Sequence, residues 1–339
     1  MKVSVIIPVK NGEKFIERLL ESLLEQEVKP DEIIVVDDGS QDGTVEIVEK
    51  YPVKLLHTEG NRGANRGRNI GLSKASGDII ALIDADCIAP KDWLKNIKHE
   101  LETGKYACIG GSVLPFPEIK DKFLAQYANE AFFPIMPVYQ KERVINRDNV
   151  VKSRLPNSNN MAFLREAALK AGMYFDEDIR GGAEEHGFLW RLIEKGYTVK
   201  ISPKLYIYHN HRTRLRDLLK QLYNYGKGLF LFFKKYPRSP VAYPPSLVII
   251  SYYTMLVFFA FLAVFGYTFP LFSFLVLTIP LPLSLLMAYY AWRKLPLIKC
   301  IAYPFLDMLT KLVYSIGFLV AAFKTFTLLI VTKIFPVRK

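Results

Sequence analysis

Apolar and polar residues alternate in two rhythms along the chain before Arg212. Val3–Val9 is an apolar run interrupted only by Ser4 and Pro8, the length of a buried strand. Phe15, Ile16, Leu19, Leu20, Leu23 and Leu24 then recur at helical spacing and predict a helix over Glu13–Gln26. The alternation continues with strands expected at Glu32–Val36, Val53–Leu56, Asp78–Ile83, Ala107–Ile109 and Thr198–Ile201. Helices are expected at Thr44–Lys50, Arg62–Ala75 and Pro90–Leu101, and another opens at Glu184-Glu185 with Phe188, Leu189, Leu192 and Ile193. Strands alternating with helices predict an α/β domain with a mainly parallel sheet. Such sheets bind ligands at the carboxyl ends of their strands. Asp37-Asp38-Gly39-Ser40 and Asp84-Ala85-Asp86 both fall at such ends.

After Arg212 the pattern changes. Leu215, Leu218, Leu219, Leu222, Tyr225, Leu229 and Phe233 line one helical face among many Lys and Arg, which predicts a basic amphipathic helix at a membrane surface. Ser239 to Trp292 then holds no Asp, Glu, Lys, Arg or His. Two membrane spans fit there, about 246–267 and 271–292, with a tight turn at Gly266–Pro270 and a kink or break at Pro280 and Pro282. A third apolar segment, 312–332, contains only Lys324 as a charge. The Lys/Arg bias of the flanks, including Lys333, Arg338 and Lys339, favours a membrane-associated last segment that does not cross, or a re-entrant pair. The apolar run after Lys2 is too short for a secretory signal, so the first 240 residues are expected to face the cytoplasm. The expected organisation is therefore 1–211 catalytic, 212–240 interfacial helix and 241–339 membrane domain.

Composition sharpens this picture. A net charge of +12 would suit nucleic acid, but much of the excess flanks the apolar segments, where lipid headgroups account for it. No nucleic-acid partner is expected. Three scattered cysteines exclude a disulfide framework. Two carboxylates at Asp84 and Asp86 suit a divalent cation shared with phosphate oxygens, or else a turn that caps the next helix. Asp37 and Asp38 suit hydrogen bonds to a base or ribose, or an Asx turn. Asn61 to Gly71 opens a helix rich in donors, a candidate anion site. One of Glu184 and Glu185 can cap its helix while the other faces a cleft as a general base. His209 is either a packed residue or a metal ligand.

In order and spacing, these motifs resemble the family 2 glycosyltransferases. The carriers are Val5–Asn11, Val36–Ser40, Asn61-x-Gly63 with Arg68-Asn69-x-Gly71, Ser76–Asp78, Asp84-Ala85-Asp86 and Glu184-Glu185-x-x-Phe188-x-x-Arg191, over roughly residues 3–230. The resemblance implies a GT-A fold, a nucleoside-diphosphate sugar donor, Mn2+ or Mg2+, and inversion at the anomeric carbon. By position, Pro8, Asn11, Asp37, Asp38, Arg68, Asp84, Ala85 and Asp86 would form the donor side, with Asp86 and His209 at the metal. Glu185 stands at the base position, where the family more often has Asp. Gly110, Gly111 and Glu184 would lie on the acceptor side, and the aromatic-rich segment Pro115–Pro156 could wall it. Processive members carry Gln-x-x-Arg-Trp, whereas Gln221-Leu222-Tyr223-Asn224-Tyr225 lacks the Arg and the Trp, which implies transfer of one sugar. The expected donor is GDP-mannose ahead of UDP-glucose. The expected acceptor is a hydroxyl of a membrane lipid or lipid-linked glycan, the alternative being a polyprenyl-phosphate glycosyl synthase.

Overall fold

The computed structural model describes residues 1–172 and 174–334, with side chains through Thr327. Lys333, Arg338 and Lys339, used in the charge-bias argument, lie outside the described side chains. The chain divides into two units: Met1–Asn129 with Pro134–Arg214, and Glu130–Phe133 with Leu215–Lys339.

The first unit opens with β1 (Val3–Val9), α1 (Ile16–Leu24), β2 (Glu32–Asp37), α2 (Thr44–Val48), β3 (Lys54–His57), α3 (Ala64–Lys74) and β4 (Ile79–Ile83). It continues with β5 (Cys87–Ile88), α4 (Trp93–Leu101), β6 (Cys108–Pro115), α5 (Phe123–Glu130), β7 (Arg143–Ile145), β8 (Asn160–Leu164), α6 (Arg165–Lys170), α7 (Glu184–Glu194) and β9 (Val199–His209). The strand order is β3-β2-β1-β4-β8-β6-β9-β5, with β7 on β9.

The first four strands pair in parallel, as the alternating pattern predicts. Beyond β4 the sheet is mixed, which corrects the mainly parallel expectation. β8 enters antiparallel between β4 and β6, and β9 runs parallel to β6 but antiparallel to β5 and β7. β8 arrives after the long excursion 116–159, so no short βαβ crossover dictates its direction. β1, β2 and β4 are buried nearly throughout, and the apolar stripe of α1 (Ile16, Leu19, Leu20, Leu23) packs with α4 on the same core as Val5, Ile7, Val35 and Ala81. Because these strands are parallel, their carboxyl ends share one edge, which carries both acidic clusters.

The second unit contains α8 (Leu215–Lys235), α9 (Tyr243–Val264), α10 (Thr268–Thr278), α11 (Pro280–Trp292) and α12 (Leu297–Ile334). Three stretches are long and apolar enough to cross a membrane: Tyr243–Val264, Thr268–Trp292 and Leu297–Thr327. The second is interrupted at Ile279 (φ −118, ψ −75), where Pro280 and Pro282 begin a new helix. The last is one 38-residue helix, which begins 15 residues before the expected 312 and has the length and composition of a span.

The apolar face of α8 is not left bare for lipid. It packs on α12 through a close crossing: a Cβ on Gly226 would stand 1.8 Å from the Tyr314 carbonyl oxygen, and one on Gly317 would stand 2.0 Å from that of Tyr223. The small segment 130–133 belongs to this unit. Glu130 accepts from Lys299 (2.7 Å) and Tyr303 (3.0 Å), and the Phe132 amide donates to the Tyr290 hydroxyl (2.6 Å).

Candidate active site

The two acidic strand ends are built differently. At the end of β2, Asp37 accepts from the backbone N–H groups of Gly39 (3.1 Å) and Ser40 (3.2 Å), an Asx turn. Asp38 accepts from the Thr58 hydroxyl (2.5 Å) and the amides of Arg62 and Gly63 (both 2.8 Å). Burial alone would raise the Asp38 pKa, but these donors outweigh it and hold the carboxyl below its ordinary value. The anion expected at the start of α3 is therefore the protein's own Asp38. Asn11, with φ +51, accepts from the Gln41 amide (2.9 Å) and fastens the same turn. Pro8 is buried in β1 under Gly67, where a Cβ would come within 3.2 Å of its ring.

At the end of β4, Asp84 accepts from Arg68 Nη2 (2.9 Å), and Arg68 Nη1 donates to Glu184 (3.0 Å) and to Asn65 (3.1 Å). Arg68 is 2% exposed, and its Nε has no partner. Its guanidinium thus ties β4 to the start of α7, which are far apart in sequence. Two asparagines of α3 fix the intervening chain: Asn69 exchanges hydrogen bonds with the Phe175 backbone (2.8 and 2.9 Å), and Asn65 donates to the Asp176 carbonyl (2.8 Å). Gly71 is required for packing, since a Cβ there would meet Ile6 at 2.5 Å.

Ala183, in the left-handed region at φ +55, precedes α7. Glu184 accepts from the Gly181 amide (2.8 Å) and so closes the entry to the helix. Glu185 Oε1 lies 3.8 Å from Nε2 of His186, an imidazole that burial keeps neutral by lowering its pKa to about 4. Burial, reinforced by the charges of Glu184 and Asp84 and opposed by Arg68, pushes the Glu185 pKa up to about 7. A carboxyl poised near neutrality is the property a general base needs. The phenol of Tyr139 is close enough to feel Arg154 and Glu185. Its hydroxyl donates to the Leu155 carbonyl (3.1 Å). Tyr139 belongs to the aromatic-rich segment expected to wall the acceptor side, whereas nothing in the sequence singles out Arg154. The polar run Asn157-Ser158-Asn159-Asn160 was also passed over; Ser158, Asn159 and Asn160 are buried, and Asn159 Oδ1 has no partner. Four polar residues set against the apolar strand Met161–Leu164 are a signal that could have been read.

Asp86 and His209 come together because β5 pairs antiparallel with β9, with Cys87 opposite His209. Asp86 Oδ2 lies 3.6 Å from His209 Nε2 and 3.8 Å from Arg212. Burial pushes the Asp86 pKa up, with Arg212 opposing. Burial also lowers the His209 pKa to about 4, so its imidazole is neutral. His209 Nδ1 is 3.0 Å from His211 Nδ1, which also lies 3.2 Å from the His209 carbonyl oxygen and donates to it. One carboxylate and one neutral imidazole fit a manganese-type cation, although among the described residues no three His, Cys, Asp or Glu side chains gather as a complete cage. A cation here would share its shell with oxygens of a phosphate.

Gly110 and Gly111, expected on the acceptor side, are buried in β6. A Cβ on Gly110 would meet Pro156 at 2.1 Å, and one on Gly111 the Leu205 carbonyl at 1.6 Å. The sheet leaves no room for a side chain at either position, which accounts for the glycines by packing. Ala85 is partly buried and lies beside Gly12.

Residues 4–168 match the family described as Glycosyl transferase family 2. The chain carries a family 2 glycosyltransferase domain. It is 28% identical over 227 residues to a pre-mycofactocin glycosyltransferase of Mycobacterium tuberculosis, covering 66% of this chain and 46% of that protein. The match thus spans about half the length of that relative. It is also 28% identical over 234 residues to the glycosyltransferase AglE of Haloferax volcanii, covering 67% of this chain and 72% of AglE. Among solved structures, the mannosyltransferase PcManGT of Pyrobaculum calidifontis, in complex with GDP-Man and Mn2+, superposes with a TM-score of 0.60 at 21% identity. That superposition covers 95% of this chain and 86% of PcManGT, and supports a GT-A fold with C-terminal apolar helices.

Proposed function

We propose that the protein is an inverting glycosyltransferase that moves one sugar from a nucleoside-diphosphate sugar to a hydroxyl of a membrane lipid or lipid-linked glycan. The observation that carries this reading is Glu185, a carboxyl with a pKa raised to about 7 at the start of α7, in the electrostatic neighbourhood of Arg68 and Asp84. Glu185 removes the acceptor proton. The freed oxygen attacks the anomeric carbon opposite the leaving diphosphate, so an α-linked donor gives a β-linked product. Arg68 holds Asp84 and Glu184 in place and so fixes the Glu185 backbone. Asp86 and His209 would hold Mn2+ or Mg2+, which supplies charge neutralisation to the departing diphosphate.

GDP-mannose is the preferred donor, supported by the GDP-Man bound in PcManGT, with a UDP-sugar as the competitor. A polyprenyl phosphate acceptor is already ionised and needs no base, so the raised Glu185 favours a hydroxyl over a phosphate acceptor. The catalytic domain is proposed to face the cytoplasm. The test is transfer of radiolabelled sugar from GDP-mannose or UDP-glucose to a total lipid extract, by wild type and by Glu185→Gln. Loss of transfer with retained donor binding supports the assignment, and full transfer by the variant overturns it.

A further inference from the structure

A cavity of about 500 Å³ opens within the helical unit, a volume ordinary for a small-molecule site. Its walls come from the start of α9 (Val248, Ile249), the α10–α11 break (Ile279), α11 (Leu286) and α12 (Lys311, Leu312). Val248 and Leu312 are at least half exposed, so the cavity opens on the face that hydrocarbon would cover. An empty apolar void of this size would forfeit the contacts of its lining.

Three features select the occupant. The first is depth. Val248 to Tyr253 lies five to ten residues into α9, about 8–15 Å along its axis. Lys234, Lys235 and Arg238 precede that helix, as basic anchors do at the headgroup level. The cavity therefore sits where the upper part of a lipid chain would lie.

The second is the helix break. Pro280 and Pro282 have no N–H, so the carbonyls of Val276 and Thr278 lose their helical donors. Inside hydrocarbon such carbonyls need a donor from a neighbouring helix, a hydroxyl or a polar molecule in a cavity they line. Thr278 lines this cavity, so a lipid with a hydroxylated or otherwise polar head can supply one, and a pure hydrocarbon cannot.

The third is the wall made by Phe132 and Phe133. Phe132 is fixed by its amide on Tyr290, whose hydroxyl donates to the buried Asp307 (2.5 Å). Phe133 lies under Lys311 Nζ, 4.1 Å from the ring centroid. These two residues belong to the excursion between β6 and β7.

We propose that this cavity holds the hydrocarbon chain of the lipid acceptor, with its polar head toward Lys311 and the proline break. The inference rests on the function proposed above, and its test separates the two. Full-length protein is placed in phosphatidylcholine–phosphatidylglycerol vesicles containing a diazirine-tagged long-chain lipid, illuminated, and mapped by mass spectrometry. Leu286→Trp and Leu312→Trp fill the cavity, Leu312→Phe is a milder filler, and Leu285→Trp adds the same bulk outside the lining.

The expected result is labelling at the cavity walls that falls about tenfold in the filled variants and persists in Leu285→Trp. Sugar transfer to a lipid extract falls in parallel, while donor binding is unchanged. Labelling that ignores the fillers overturns the proposal, as does labelling lost without loss of transfer, which would mark a structural lipid. Absence of lipid transfer by the wild type itself would overturn the function reading, and this inference with it.

Discussion

The end of β2 and the end of β4 each present two aspartates at the carboxyl edge of one sheet, yet their chemistry is opposite. Asp37 and Asp38 accept mainly from backbone amides and the Thr58 hydroxyl, with His57 Nδ1 3.5 Å from Asp37, and Asp38 is held ionised as the anion at the start of α3. Asp84 and Asp86 instead face side chains: Arg68 on one side, His209 and Arg212 on the other. Burial makes the Asp86 charge costly. Amide donors built into a turn stabilise a fixed charge and leave it little to offer a ligand. A desolvated carboxylate beside an imidazole and a guanidinium gains most when a cation or a diphosphate arrives. The first pair reads as scaffold that shapes the donor edge, the second as the reacting end.

The sharpest way to break this contrast is to remove the groups it assigns to chemistry. Glu185→Gln should cut kcat by about 10²–10⁴, with donor affinity preserved in calorimetry. Asp86→Ala should abolish the manganese dependence of donor binding, while Asp38→Asn should keep it; equal manganese dependence in the two variants would erase the distinction.

Arg68→Ala comes next. It leaves Asp84, Glu184 and Asn65 without their shared guanidinium and should lower stability by about 3 kcal/mol in denaturant titration, discounted somewhat because both carboxylates are partly exposed. Arg68→Lys should recover only part of this, since one ammonium cannot span both acids in the same geometry. Asp38→Asn should cost about 1–2 kcal/mol, the loss of a charged acceptor for two amides and a hydroxyl.

A further effect is a pH signature. With the Glu185 pKa raised to about 7, the native state holds a proton that the unfolded chain has already released above its ordinary value of 4.5. This contribution to stability is present at low pH and lost as pH rises through about 7. Glu185→Gln should therefore gain stability relative to wild type above pH about 7 and not below the ordinary carboxylate range. The rate of the wild type moves the other way, falling about tenfold per pH unit below that value as the base becomes protonated.

Much of the first half of the sheet was legible in the sequence. The apolar runs of β1, β2 and β4 and the 3.6-residue stripe of α1 are local patterns, and local burial reproduces them. The second half was not. β8 is five residues long and flanked by a polar run, and its antiparallel entry depends on where the chain returns after 44 residues of excursion. The face of α8 shows the same limit: its amphipathic pattern is real, but a pattern does not say whether lipid or another helix covers it, and α12 does.

The sequence by itself determined which residue types were available at the site. Acids at the strand ends, an acid pair at a helix start, a histidine after an aromatic strand and a long uncharged block are all one-dimensional signals. The tertiary structure decided which of them are already spoken for. Asp37, Asp38, Gly110 and Gly111 carry as strong a sequence signal as Asp84 and Asp86, and the structure adds that amides hold the first two and that packing leaves no room for a side chain at the glycines. Glu184 and Glu185 are adjacent and chemically identical, yet the turn at Ala183 lets Glu184 accept from the Gly181 amide and from Arg68 while Glu185 is desolvated, its pKa raised to about 7. The physical reason is that hydrogen-bond satisfaction and desolvation depend on neighbours distant in the chain, such as Arg68 for Glu184, and local spacing holds no record of them.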